Sequence, residues 1–397
     1  MTDSNGRGAP EPLVFMIAGE LSGDAIGGAL IAALKKRFEG RVHFAGIGGE
    51  AMQAEGLSSL FPMTELSLID IGDILIQLPH LLGRLRDTVG EVRRLRPVAL
   101  VTIDCPKFSL RVSRRVRDLG IPLVHYVAPS VYAYAPGRAK AMAAYIDHLL
   151  LLFPFEKPYF DAVGLPTTYV GPHILETPEM AGDGPGFRRR HDVADDAAVL
   201  CVLPGSRASE VRLLLPIYGR AVALLAARFP GLSVVVPTTS AVEDRVRAAA
   251  QGWPCPAIVV TDADGRRDAI AASDAALAKA GTVTLELAAA RVPSVVCGKL
   301  AALSWVQALQ GTSIKYIALP NWILDRDAIP EFRQYGCRPG PIADAVARLL
   351  ADPAARAAQQ RDLDDVMSLL QTDGRAPSER AADAIMTLLS NPPALND

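Results

Sequence analysis

Two glycine-rich turns, one in each half of the chain, each close a short apolar run and open a helical one. They constrain the fold more than any other feature. The first is Ala18-Gly19-Glu20-Leu21-Ser22-Gly23-Asp24, after the apolar run 13–17 and before the helical stretch 26–38. The second is Lys279-Ala280-Gly281-Thr282-Val283-Thr284-Leu285-Glu286, after the apolar run 275–278. Where a buried strand gives way to a helix, unpaired backbone N–H groups and the positive end of the helix dipole face outward, and small residues let a phosphate approach. The second turn reads as a diphosphate seat. A turn of this kind in each half implies two nucleotide-fold domains facing one cleft.

The rest of the chain agrees with that division. At 397 residues it exceeds the roughly 250 to 300 at which a single core stops growing. Apolar runs at 13–17, 42–47, 99–103, 123–127 and 149–153 alternate with helical segments, the mark of βαβ units and a parallel sheet covered on both faces. The pattern restarts at 199–203, 233–237, 257–261, 275–278 and 294–297. Residues 176–192, rich in proline, glycine and charge, read as the linker. The domains are therefore expected at 1–175 and 176–345, with an alanine-rich helical tail, 346–397, packing back across them.

Half the residues are apolar, yet no uninterrupted run reaches the roughly 18 to 20 residues of a membrane span. No apolar segment precedes the first strand, so a cytoplasmic location is expected. The five cysteines show neither CxxC nor Cys/His spacing, which argues against a zinc site and a disulfide framework. A net charge of −2 gives no general attraction to nucleic acid, and none is expected as a partner.

Several residues stand where ligands of such sheets bind. Ser206 and Arg207, in Leu203-Pro204-Gly205-Ser206-Arg207, follow the first strand of the second half, and the arginine fork suits a diphosphate. The bland alternative is a surface loop with a solvated arginine. Gly281 and Thr282 could hold phosphate, with Glu286 accepting from ribose hydroxyls, or could form an ordinary capped turn. Asp104 ends an apolar strand and is a candidate general base for a sugar hydroxyl, or simply a turn residue. His125 to Tyr134, with Arg138 and Lys140, could line an acceptor pocket or belong to core and loop. Residues 66–85 carry Leu68, Ile71, Leu75, Leu78 and Leu82 at three- and four-residue spacing, widened by Ile74, and Arg84, Arg86, Arg93, Arg94 and Arg96 follow. That combination suits a segment lying on anionic lipid or lining an acyl groove, or else a core helix.

Taken together, these landmarks resemble the lipid-A-disaccharide synthase family of two-domain GT-B glycosyltransferases. The resemblance covers nearly the whole chain. It rests on Ala18-Gly19-Glu20 with Ser22-Gly23-Asp24, Met52 to Gly56, Ile103-Asp104 with Pro106 and Phe108, and His125-Tyr126-Val127 with Pro129-Ser130-Val131. It continues through Phe153-Pro154-Phe155-Glu156, Leu203 to Arg207 with Glu210, Gly281-Thr282 with Leu285-Glu286, and Leu319-Pro320-Asn321. It implies an α/β fold of two Rossmann-like, doubly wound domains. The implied activity is inverting transfer of a diacylated glucosamine from its UDP donor to diacylglucosamine 1-phosphate, giving UDP and a β-1,6-linked disaccharide phosphate, with no cofactor or metal. Asp104 would be the base. Arg207, Gly281, Thr282 and Glu286 would hold UDP, with Ser206 and Asn321 nearby and Ser22 and Gly23 as further substrate contacts. Acylated substrates imply peripheral attachment to the inner membrane through Leu68, Ile71, Ile74, Leu75, Leu78 and Leu82, and a homodimer through the C-terminal half is compatible with the family.

The chain departs from the family pattern at Lys107, at Gly171-Pro172-His173, at Tyr132 and Tyr134, at Lys279-Ala280, and at 322–325. Competing readings are another GT-B enzyme acting on UDP-N-acetylglucosamine, such as a 2-epimerase, and a non-catalytic nucleotide-sugar sensor at the membrane. A NAD-binding enzyme is disfavoured because the first turn lacks GxGxxG.

Overall fold

The computed structural model describes residues 11–67, 74–129, 137–176, 182–300, 315–371 and 373–391. The chain divides into two compact units, residues 1–176 with 372–397, and residues 177–371. The first unit is built on β1 (Leu13–Ala18), β2 (His43–Ile47), β3 (Leu57–Ser59), β4 (Ala99–Ile103), β5 (Leu123–Tyr126), β6 (His148–Leu151) and β7 (Thr167–Tyr169), in the order β3-β2-β1-β4-β5-β6-β7. The second holds β8 (Val199–Leu203), β9 (Ser233–Pro237), β10 (Ala257–Val260), β11 (Ala275–Lys279), β12 (Ser294–Gly298) and β13 (Glu331–Arg333), in the order β10-β9-β8-β11-β12-β13. All the pairings are parallel.

Continuous apolar runs form these strands because helices cover both sheet faces. In the second unit Leu200 and Val202 join one buried cluster with Tyr218, Val234 and Val346, whereas Val199, Cys201 and Leu203 join another with Phe187, Val235 and Leu287. Alternate side chains therefore enter opposite layers. Strand order reverses beside the first strand of each sheet, between β1 and β4 and again between β8 and β11. Registers there pair Ala18 with Ile103 and Leu203 with Ala278. The crevice outside the carboxyl ends of such a pair is where open α/β sheets take ligands.

Three short strands, β3, β7 and β13, were not expected from sequence. Each has three residues, too few to display a period, and each lies at or beside a sheet edge. The expected linker is also shorter than 176–192. A helix, Gly184–Arg190, starts inside it, capped by the Asp183 carboxylate accepting from Gly186 N at 2.7 Å, and Phe187 is buried in the core.

The tail does not behave as one element. Helices Pro339–Ala351 and Pro353–Leu370 bury Ile342, Val346, Leu363 and Val366 within the second unit, and the final helix, Pro377–Ser390, buries Ala381, Ala382 and Ile385 within the first. Arg37 pairs with Asp383 at 2.6 Å, and Arg380 donates to the Tyr169 carbonyl at 2.6 Å. The Glu176 carboxylate accepts from Ser378 N. These contacts hold the last helix to the first unit.

One buried carboxyl gives the fold a pH dependence. Glu156 follows β6 and accepts from Phe153 N at 3.0 Å, and burial pushes its carboxyl up to about 8 despite the backbone N–H groups that favour the charge. In the unfolded chain the same group ionises near 4.5. Between those values the folded state binds more protons than the unfolded one, so stability falls as pH rises and levels off above about 8. Glu156→Gln keeps an acceptor but removes the ionisation. Its melting temperature should therefore vary less than wild type between pH 5 and 8 and exceed it near pH 8.5. Equal slopes in thermal melts of the two proteins would contradict this.

Candidate active site

The switch point of the second sheet carries a cavity of about 160 Å³ lined by Gly205, Ser206, Glu210, Thr238, Thr239, Arg266, Lys279, Gly281, Thr282 and Glu286, among others. The turn after β8 supplies Gly205 and Ser206, and leads into the long helix Ala208–Arg228. Gly205 has φ +117°, and a Cβ there would stand 2.5 Å from Glu210 Oε2. Only glycine suits both the backbone and the space. Glu210, on the first turn of that helix, gathers the site's charges. Its Oε2 accepts from Ser206 N at 3.2 Å, and its Oε1 lies 2.8 Å from Lys279 Nζ and 4.0 Å from Arg207 Nη1. Burial tends to raise this carboxyl, but the ammonium and guanidinium outweigh it and hold it below its usual range.

Glu286 is the cavity's second carboxyl. It is raised by burial, with the Arg266 guanidinium pulling the other way. Hydrogen bonds from a ligand's hydroxyls would favour its ionised form. Arg266 donates to the Thr238 carbonyl at 3.5 Å, and the buried Thr238 Oγ1 has no partner among the described residues. An orphaned hydroxyl in a cavity wall is what a ligand atom would satisfy. The site thus unites Ser206, Gly281, Thr282 and Glu286, all anticipated, with Arg207 at its edge. Sequence reasoning missed Thr238, Thr239 and Arg266; the threonine pair directly after β9 was the available signal.

The first sheet repeats the arrangement at its own switch point. Asp104 and Cys105, at the tip of β4, both have left-handed backbones, φ +50° and +48°. Asp104 N donates to the Tyr126 carbonyl at 2.9 Å, and the Cys105 carbonyl accepts from Phe108 N and Ser109 N at 3.0 Å each. Two consecutive non-glycine residues in this region store strain, which collects at functional sites. The Cys105 side chain packs on Gly19, where a Cβ would lie 2.6 Å from Sγ. Its thiol is pushed up to about 12 by burial and then by the Asp104 and Glu20 carboxylates. Cys105 is therefore held as a protonated thiol, and the half-exposed Asp104 and Glu20 both lie within electrostatic reach of it. Ser22 is exposed at the start of helix Leu21–Arg37, and Gly23 packs 3.5 Å (from a notional Cβ) from the Ile103 carbonyl. Asp24 is structural. It accepts from Gly49, Ala51 and Met52 N at 2.7, 2.9 and 3.1 Å, capping the helix Glu50–Ala54.

Other anticipated residues stand elsewhere. Asn321 is fully buried with all of its amide engaged. Oδ1 accepts from Ala328 N and Ile329 N at 2.9 and 2.8 Å, and Nδ2 donates to the Ile329 carbonyl and Glu331 Oε1 at 2.9 Å each. It closes the 321–331 loop and is not part of the cavity wall. His125 is buried, with Nδ1 2.7 Å from Thr102 Oγ1, and burial lowers it to about 3, so it is a neutral packing residue. Leu68 and Ile71 lie outside the described residues. Ile74, Leu75 and Leu78 fall in the helix Ile74–Leu95, which contains Pro79 and exposes Leu82 by 52%. The basic cluster behind them is partly neutralised: Arg84 pairs with Glu65, Arg93 with Asp118 and Arg94 with Glu91. A larger depression, about 310 Å³, lies at the amino end of β10 beside Trp253 and Cys255. Its Arg247 is engaged with Glu243 and the Val259 carbonyl, and it lies away from both switch points.

Two doubly wound parallel sheets, each with polar groups collected at its own switch point, are the architecture of the GT-B fold. The calicheamicin glycosyltransferase CalG4 superposes with a TM-score of 0.61 at 17% identity, over 97% of this chain and 100% of that one. A UDP-GlcNAc 2-epimerase from Neisseria meningitidis gives 0.64 at 12%, over 96% and 99%. Fold alone therefore accommodates both transferase and epimerase. Sequence separates them: residues 14–385 match the lipid-A-disaccharide synthetase family model. The lipid-A-disaccharide synthase of Rhodospirillum centenum is 49% identical over 380 residues, 95% of each chain. The chain belongs to the lipid-A-disaccharide synthase family.

Proposed function

We propose that this glycosyltransferase of lipid A biosynthesis joins UDP-2,3-diacylglucosamine to 2,3-diacylglucosamine 1-phosphate, releasing UDP. Family membership over nearly the whole chain carries the activity, and the polar cavity at the β8/β11 switch point is the observation that supports a UDP seat. Asp104 accepts the proton of the acceptor 6-hydroxyl as its oxygen attacks C1 of the donor sugar. The C1–O bond to the β-phosphate breaks, and its electron pair leaves with UDP. Ser206, Arg207, Gly281 and Thr282 hold the diphosphate, Glu286 takes the ribose hydroxyls, and fixed charge beside the departing oxygen lowers the barrier. Ser22 and Gly23 line the acceptor side. The test is a pair of incubations. Both acylated substrates together should release UDP, while UDP-N-acetylglucosamine alone should yield neither UDP nor a 2-epimer; epimer formation would overturn the reading.

The same reading has the chain collect its acylated substrates at the inner-membrane surface. Among the described residues no helix is long and apolar enough to cross a bilayer, so attachment would be peripheral. Leu82 is exposed, and the ion pairs on Arg84, Arg93 and Arg94 shift the burden of attachment from charge to apolar contact. Vesicles containing anionic phospholipid should therefore co-float the wild type even in high salt, and replacing Ile74, Leu75, Leu78 and Leu82 with serine should reduce co-flotation about tenfold or more. Unchanged flotation and unchanged turnover on acylated substrates would remove this segment from the account.

A further inference from the structure

Lys279 has no role in the account so far, yet its position is specific. It is the last residue of β11, and its Nζ lies 2.8 Å from Glu210 Oε1 and 3.7 Å from where a Gly281 Cβ would stand. The ammonium therefore hangs over the Gly281 turn inside the cavity that also holds Ser206 and Thr282. Glu210 serves two cations at once, since Arg207 Nη1 is 4.0 Å from the same oxygen. One carboxylate shared between two cations leaves a net positive charge with a tether rather than a closed ion pair. A dianionic phosphate entering beside Gly281 would compete with Glu210 for the lysine. A flexible ammonium can follow such a group, as a rigid guanidinium fork cannot.

We propose that Lys279 is a further leaving-group residue, whose ammonium passes from Glu210 to the β-phosphate of UDP and neutralises the charge that phosphate gains as the C1–O bond breaks. This rests on reading the β8/β11 cavity as the UDP seat. No proton is transferred in the step; the lysine donates hydrogen bonds to the departing oxygen and remains an ammonium. Glu210 is the parking partner that keeps it in place before UDP binds.

The test measures UDP and UMP binding by calorimetry, with kcat and KM on the acylated pair, for wild type, Lys279→Met, Lys279→Arg and Lys279→Met with Glu210→Gln. Lys279→Met should bind UDP about ten- to a hundredfold more weakly and UMP within about twofold of wild type. The same variant should lose kcat as well as donor affinity, and Lys279→Arg should recover part of both. The double variant distinguishes contact from structure. If the lysine only neutralises Glu210, removing both charges restores UDP binding and overturns the proposal; a deficit that persists supports it. UDP binding unchanged in Lys279→Met also overturns it while leaving the functional reading intact. A wild type that binds no UDP overturns the reading of the cavity, and this proposal with it. Retained UMP binding shows that each variant is folded.

Discussion

Asp104→Asn should reduce kcat on the acylated pair by about 10² to 10⁴, the usual contribution of a positioned general base, while UDP affinity stays within about twofold of wild type. The substitution is chosen for the backbone as much as for the chemistry. Asp104 has φ +50°, and asparagine tolerates the left-handed region better than other residues. The amide fits the same space, keeps the Asp104 N to Tyr126 carbonyl bond, and removes the negative charge and with it the ability to take a proton. Alanine at this position would confound loss of the base with strain at two consecutive left-handed residues. A kcat within threefold of wild type would remove Asp104 from the base role and direct attention to Glu20, on the adjacent turn after β1.

Asn321→Ala should unfold the second unit more readily and leave nucleotide recognition by the folded protein unchanged. The side chain makes four hydrogen bonds in a fully buried position. Truncation strands two backbone N–H groups and a carbonyl, each costing about 1 to 3 kcal/mol when unsatisfied, though not additively. A net loss of about 3 to 5 kcal/mol would lower the melting temperature by roughly 10 °C in a unit of this size. The UDP affinity of the folded fraction should stay within about threefold. The reverse pattern, normal melting with UDP binding lost, would return Asn321 to the ligand set. Thermal melts and calorimetry on the same preparation separate the two.

Asn321 also shows where sequence stops being informative. Leu319-Pro320-Asn321 was legible as a landmark, but a motif does not state whether its amide faces a ligand or its own loop. That depends on Ala328, Ile329 and Glu331, seven to ten residues away, folding back onto it. The two glycine turns were readable because their physics is local: in each a buried strand ends and a helix begins. Long strands such as β1 and β8 were legible from uninterrupted apolar runs, whereas β3, β7 and β13 carry too few residues to display a pattern. Thr238 and Arg266 became visible only once the strand order had placed the ends of β9 and β10 beside β8, and only then did Lys279 gain its partner Glu210. Sequence also cannot reveal that Glu65, Asp118 and Glu91 pair with three of the arginines that follow Leu82.

The most direct test of the account is mass-spectrometric detection of product from the purified full chain supplied with UDP-2,3-diacylglucosamine and 2,3-diacylglucosamine 1-phosphate. The account predicts a disaccharide 1-phosphate formed in step with one equivalent of UDP, and no such product from the Asp104→Asn protein over the same interval. A wild-type protein that binds UDP tightly yet forms no disaccharide would contradict it and favour a nucleotide-sugar sensor.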